Sequence, residues 1–188
     1  MRSLWVLVSV FSVVLLAACS VNVKKGNDGE DKNVDIKTPF GEIHVDKGAD
    51  ARDTGLPVYR GARLKPKNDD GEEKSANVNI STSAFGLKVV AVQYESDDPP
   101  DKVVAFYQNE LKKYGSVLEC HTSHRGSWSP AHDHGSEELK CEGDSNGNSI
   151  ELKVGTRSNQ HIVAIDPRGK GSDFALVYVR THGKEGTI

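Results

Sequence analysis

The sequence predicts a single α+β domain, an antiparallel β-sheet of about five to seven strands with one main α-helix packed on one face. Three observations lead there. Short segments of alternating apolar and polar residues recur along the chain between turns rich in Gly, Asn, Asp and Pro. One segment alone carries apolar residues at spacings of three and four between a clear start and a clear stop signal. The length of 188 residues suits one modest domain. With 24 Lys and Arg mixed among 27 Asp and Glu, the net charge of −3 lacks the basic patch by which nucleic acids are bound, so no nucleic-acid partner is expected.

In chain order, the first element is not part of the fold. Arg2 precedes an apolar run from Leu4 to Ala18. The run is about fifteen residues long, short of the roughly 20 that cross a bilayer as a helix, and it ends in small residues, as a signal peptide does (residues 1–18). Residues 19–33 carry Lys24, Lys25, Asp28, Glu30, Asp31 and Lys32 and little that is apolar, so they are expected to form a flexible tether. Residues 34–55 read as a short β-ribbon and linker: Val34 and Ile36 alternate before Pro39-Phe40-Gly41, and Ile43 and Val45 after it.

The compact domain is expected over 56–183, followed by a disordered tail over 184–188. Leu56 to Ala62 forms an irregular approach held by Pro57 and Tyr59. Asn77 to Ser81 and Phe85 to Tyr94 form an antiparallel pair across Thr82 to Ala84. The helix starts at Pro99-Pro100 with Asp97 and Asp98 at its cap, and it stops at Lys112, Lys113 and Gly115. Its stripe of Val103, Val104, Phe106, Tyr107, Leu111 and Tyr114 faces a sheet. Val117 to Cys120, Glu138 to Glu142, Ile150 to Val154, His161 to Ile165 and Phe174 to Arg180 complete a meander. The second sheet face is expected to be wet or covered by the amino-terminal ribbon.

Leu16-Ala17-Ala18-Cys19, at the end of the apolar run, resembles a bacterial lipobox. The resemblance implies diacylglycerol on the Cys19 thiol, cleavage before it and acylation of the new amino terminus. The chain is then a lipoprotein of the cell envelope, held on a membrane by its lipid. Ser20, not Asp, follows the cysteine, which implies the outer membrane in a Gram-negative cell. The stretch Val89 to Tyr107, with Leu111, Gly115 and the Phe174 to His182 strand, is similar to segments of small bacterial envelope lipoproteins to which no activity is assigned. That likeness supports fold and address and carries over no functional residue.

A lipidated Cys19 leaves Cys120 and Cys141, expected to bond to each other in an oxidising compartment, with two reduced core cysteines as the alternative. The segment between them holds His121, His124, His132 and His134, four of the seven histidines. Imidazoles so grouped can chelate zinc or copper, the one cofactor the sequence suggests, although no His-Glu-x-x-His is present. Trp128 in the same segment is a candidate partner anchor.

Asp144-Ser145-Asn146-Gly147-Asn148 starts like a calcium loop, but Ser149 and Gly155 replace its required Gly and Glu, so a hairpin turn is expected. Arg168-Gly169-Lys170-Gly171 lacks the Lys-Ser/Thr and helix of a phosphate loop and is read as a turn. No nucleophile elbow is present. A noncatalytic module binding an envelope protein or a small ligand is therefore the leading expectation, with a transition-metal-binding protein as the alternative.

Overall fold

The structure is a computed structural model and describes residues 20–25, 31–46, 48–66, 75–123, 137–141 and 147–183. The apolar run over 4–18, Cys19 and residues 184–188 lie outside them. The strands are β1 (Ser20–Lys25), β2 (Asp31–Thr38), β3 (Gly41–Asp46), β4 (Arg63–Leu64), β5 (Ser75–Thr82), β6 (Phe85–Ser96), β7 (Leu118–Thr122), β8 (Ser149–Thr156), β9 (Asn159–Arg168) and β10 (Gly171–Gly183). They form one sheet in the order β1-β2-β3-β5-β6-β10-β9-β8-β7, with β4 beside the end of β6. All pairs are antiparallel. The helix α1 spans Pro100–Leu111 and continues as a 3-10 turn over Lys112–Tyr114.

The α+β class and the single packed α-helix agree with the sequence. Among the described residues there are ten strands, more than the expected five to seven. The excess lies mainly at the amino-terminal end. Instead of a tether, Ser20–Lys25 is a strand, because Val21 and Val23 alternate with Asn22 and Lys24 and pair in register with Ile36 and Val34. The expected ribbon over 34–55 likewise joins the domain: β3 pairs with β5 from Gly41↔Thr82 to Asp46↔Asn77. At Gly41 a Cβ would sit 2.4 Å from the Ser81 carbonyl oxygen, so this approach of backbones needs glycine. The ribbon thus widens the sheet sideways and does not fold over its second face. A strand is also expected over Glu138 to Glu142; residues 137–141 are irregular and join no strand pairing, and Glu142 lies outside the described residues.

The core lies under α1. Val90, Val92 and Tyr94 of β6, Phe174 and Leu176 of β10, Val163 and Ile165 of β9, and Leu152 and Val154 of β8 alternate onto one face. Val103, Val104, Tyr107 and Leu111 of α1 meet them. A 3-10 turn over Ala51–Thr54, closed by Gly55 at φ 75°, sets Ala51 and Leu56 against the same core. Tyr59, Tyr94, Phe106, Tyr107 and Phe174 make an aromatic cluster with centroid separations of 4.9 to 6.5 Å. Tyr94, Tyr107 and Phe174 of this cluster are buried, and Tyr59 and Phe106 pack partly buried against them.

Asp97 and Asp98 do not cap α1, whose N-cap is Pro99 with no side-chain hydrogen bond. The Asp98 carboxylate is taken by Lys102 Nζ at 2.7 Å and by the Tyr59 hydroxyl at 3.0 Å. These two hydrogen bonds hold its carboxyl below the usual carboxylate range. The Tyr107 hydroxyl donates to the Pro57 carbonyl at 3.1 Å and accepts from the Tyr59 amide at 3.0 Å. One buried phenol thereby ties the Leu56 to Ala62 approach to α1, and burial raises its ionisation well above the ordinary value.

Tyr107→Phe leaves the Tyr59 amide and Pro57 carbonyl unpaired beside the core. The expected loss is about 1–3 kcal/mol of stability, read as a lower urea midpoint with an unchanged m-value.

Candidate binding face

Pairing parity puts a second set of side chains on the face away from α1. Val34, Val45, Val78, Val89 and Val179 stand opposite one another across β2, β3, β5, β6 and β10. One row nearer the β5–β6 turn come Val21, Ile36, Ile43, Ile80 and Leu87. Among the described residues neither α1 nor the 3-10 turns pack on this face. Val179 is buried, and most of the others are half-buried by their neighbours within the sheet. Period-two alternation in each strand was the signal for these rows; their alignment over many strands needs the register.

The other end of the same face is ionic. Arg63 forks onto Asp97 at 2.9 and 3.0 Å and reaches Glu95 at 3.2 Å. Arg168 Nε lies 2.8 Å from Asp173, which Lys65 also meets. Arg168 further donates to the Ser96 carbonyl at 3.3 Å. The hydrogen-bonded Arg63 guanidinium lowers the Asp97 carboxyl. The Arg63 pairs are largely exposed and stabilise the fold little, whereas Lys65–Asp173 is mostly buried. Cations and carboxylates here neutralise each other, which leaves a saturated network. Arg168 therefore serves this network and the two-residue β9–β10 turn.

Residues 137–141 form a strap over the far edge. The Arg157 amide donates to the Glu137 carbonyl at 3.0 Å, and the Ser158 amide and hydroxyl donate to the Glu137 carboxylate at 3.2 and 2.7 Å. The Ser158 hydrogen bonds lower the Glu137 carboxyl. At the other end Cys141 is bonded to Cys120 with Cα atoms 5.4 Å apart. Cys120 shares its face with Glu151 by register. Glu151 and Lys153, 3.0 Å apart, are both buried on that face, where the strap crosses. Cys141 sits in this strap and not in a neighbouring strand.

His121 is exposed, with Nε2 3.0 Å from the Glu119 carboxylate, whose other oxygen accepts from Gln108 at 2.5 Å. His124, His132, His134 and Trp128 lie outside the described residues, as do Asp144, Ser145 and Asn146. The structure therefore brings no second histidine of this group to His121 among the described residues.

His161 is a group the sequence did not single out. Its ring lies between Tyr114 at 4.1 Å and Tyr178 at 5.0 Å, and Nδ1 donates to the Thr54 carbonyl at 2.8 Å. Lys88 Nζ stands 6.0 Å from the Tyr178 ring centroid. Burial lowers the imidazole below its ordinary value of 6.5, outweighing the Thr54 hydrogen bond. Two open depressions lie among the described residues. One of about 410 Å3 is lined by Ala49 to Arg52, Leu56 to Val58, Leu64 and Tyr94, and one of about 630 Å3 lies at the end of α1 beside Lys112 and Glu119.

A family model described as START domain-like matches residues 67–139, less than half of the chain. The match includes β5, β6, α1 and β7. No curated protein and no solved structure matches the chain.

Replacing both bonded cysteines, Cys120→Ala with Cys141→Ala, frees a segment with a sequence separation of 21. The expected loss is roughly 3 kcal/mol in the chain-entropy account, seen as a lower denaturation midpoint in the double variant and in the reduced protein. His161 contributes stability that is complete above pH 6.5 and is lost as pH falls through its lower folded value, because the unfolded chain binds the proton first. Denaturation of the His161→Gln variant should show a shallower acid slope than wild type, and the imidazole signal should titrate below 6.5 in NMR.

Proposed function

We propose that this chain is a membrane-anchored lipoprotein of the cell envelope, a noncatalytic module that binds a partner or small ligand on the helix-free face of its sheet. The observation that carries the reading is the sequence Leu16-Ala17-Ala18-Cys19, followed at once by a strand of the folded sheet. Acyl chains at Cys19 hold a protein on a membrane because each buried methylene contributes about 0.8 kcal/mol and several chains act together. Support for a binding role comes from the rows of β-branched side chains on a face without a helix and from the START domain-like match over β5 and β6. The ionic cluster favours a structural role, since its carboxylates are engaged by Arg63, Lys65 and Arg168. In a Gram-negative host, Ser20 after the lipidated cysteine directs the protein to the outer membrane.

Metabolic labelling with palmitate tests the anchor. The wild-type chain should incorporate label and, in the intact mature protein, carry the mass of acyl chains on Cys19. The Cys19→Ser variant should incorporate none. An unmodified thiol in the native protein would overturn the reading.

A further inference from the structure

The paired strands place several chain turns at one end of the sheet. Ser20 stands opposite Lys37, Thr38 opposite Gly41, Gly41 opposite Thr82, and Gly183 opposite Phe85. The β2–β3 turn with Phe40, the β5–β6 turn before Phe85 and the residue next to Cys19 therefore share that end. Among the described residues, seven large hydrophobic side chains are exposed, and four gather here: Phe40 at 82%, Val21 at 63%, Phe85 at 44% and Ile43 at 36%. Such a patch beside a lipidation sequence has an obvious energetic fate at a bilayer, which removes apolar surface from water.

We propose that this end of the sheet docks into the lipid bilayer, with Phe40 and Phe85 inserted at the interface, so that the domain is oriented and not merely tethered. The proposal rests on lipidation of Cys19. Ser20 begins β1, and consecutive Cα atoms are only about 3.8 Å apart, so no spacer separates an acylated cysteine from the folded sheet. The nearby charges do not oppose contact: Lys37 and Glu42 pair at 3.2 Å on the helix-side face. Docking through apolar area of this kind requires no anionic lipid.

The test uses the mature protein purified from membranes, with its acyl mass recorded first. Wild type, Phe40→Trp and Val58→Trp are reconstituted into phosphatidylcholine vesicles with chains brominated at stated depths, and the wild-type emission from Trp128 is subtracted. Val58 is an exposed control beside Tyr94, at the opposite end of β6. For F40W the added emission should shift to shorter wavelength and be quenched most by bromines roughly 5–10 Å into the headgroup and acyl boundary, while V58W shows neither effect. Acylated protein in which F40W is no more quenched than V58W overturns the docking and leaves the anchor standing. A concentration-dependent shift of F40W without lipid, together with a dimer mass, assigns the patch to a second copy and also overturns it. Absence of acyl mass removes the anchor and the docking together.

Discussion

The antiparallel pairing of β6 with β10 decides which side chains meet α1 and which are left over. It runs through twelve residue pairs, from Ser172↔Ser96 to Gly183↔Phe85. Side chains alternate with period two, so a slip by one residue would turn Val90, Val92 and Tyr94 away from α1 and bring Val89, Ala91 and Gln93 under it. The core then loses Tyr94, and Phe174 has no Tyr94 ring to stack on. With the register as it is, α1 covers β8, β9 and β10 while β1, β2, β3 and β5 extend beyond it. The twelve residues of α1 cannot shield the whole of this sheet. The remaining apolar set therefore faces the other way, and the helix side of the outer strands carries Asp35, His44, Asn79 and Lys88.

Much of this was legible locally. The helix could be read from Pro99-Pro100, the stripe through Leu111 and the stop at Gly115, because those signals act within a turn or two of the backbone. The β5–β6 hairpin and the last three strands could be read from alternation between turn residues. What escaped was non-local. Val21 and Val23 become a strand only because Ile36 and Val34 are there to pair with, amid lysines that suggested a tether. The role of Asp98 depends on Tyr59, far away in sequence. His161 gave no local motif; Tyr114, Tyr178 and Thr54 converge on it from three separate segments. The alignment of five valines into one row is likewise a property of the register and not of any strand.

The face away from α1 is graded along its strands. Moving along β6 and β10 from the β5–β6 turn, its facing pairs are Leu87 with Thr181, Val89 with Val179, Ala91 with Val177, Gln93 with Ala175 and Glu95 with Asp173. Branched apolar side chains give way to small ones and then to carboxylates. Arg63, Lys65 and Arg168 close the charged end, so its anions carry no uncompensated field toward the rest of the face. The strap adds a lateral boundary near β7 and β8, where Glu151 and Lys153 lie buried together.

This gradient bears on how the proposed anchor and the proposed binding face fit in one molecule. The apolar end is the end that continues into Cys19, so lipid at that cysteine and the exposed Phe40 and Phe85 favour the same orientation, with the strands of β6 and β10 pointing away from the membrane. Glu95 lies ten residues beyond Phe85 on a fully paired strand. At about 3.3 Å per residue this carries the charged end some 30 Å from the apolar one, beyond the Debye length at physiological salt. In that orientation the ionic network would lie clear of the bilayer, with the valine rows between it and the lipid. A ligand held on those rows would be reached from the membrane side through apolar surface and bounded on the solvent side by charge, an arrangement that orders access without any moving part.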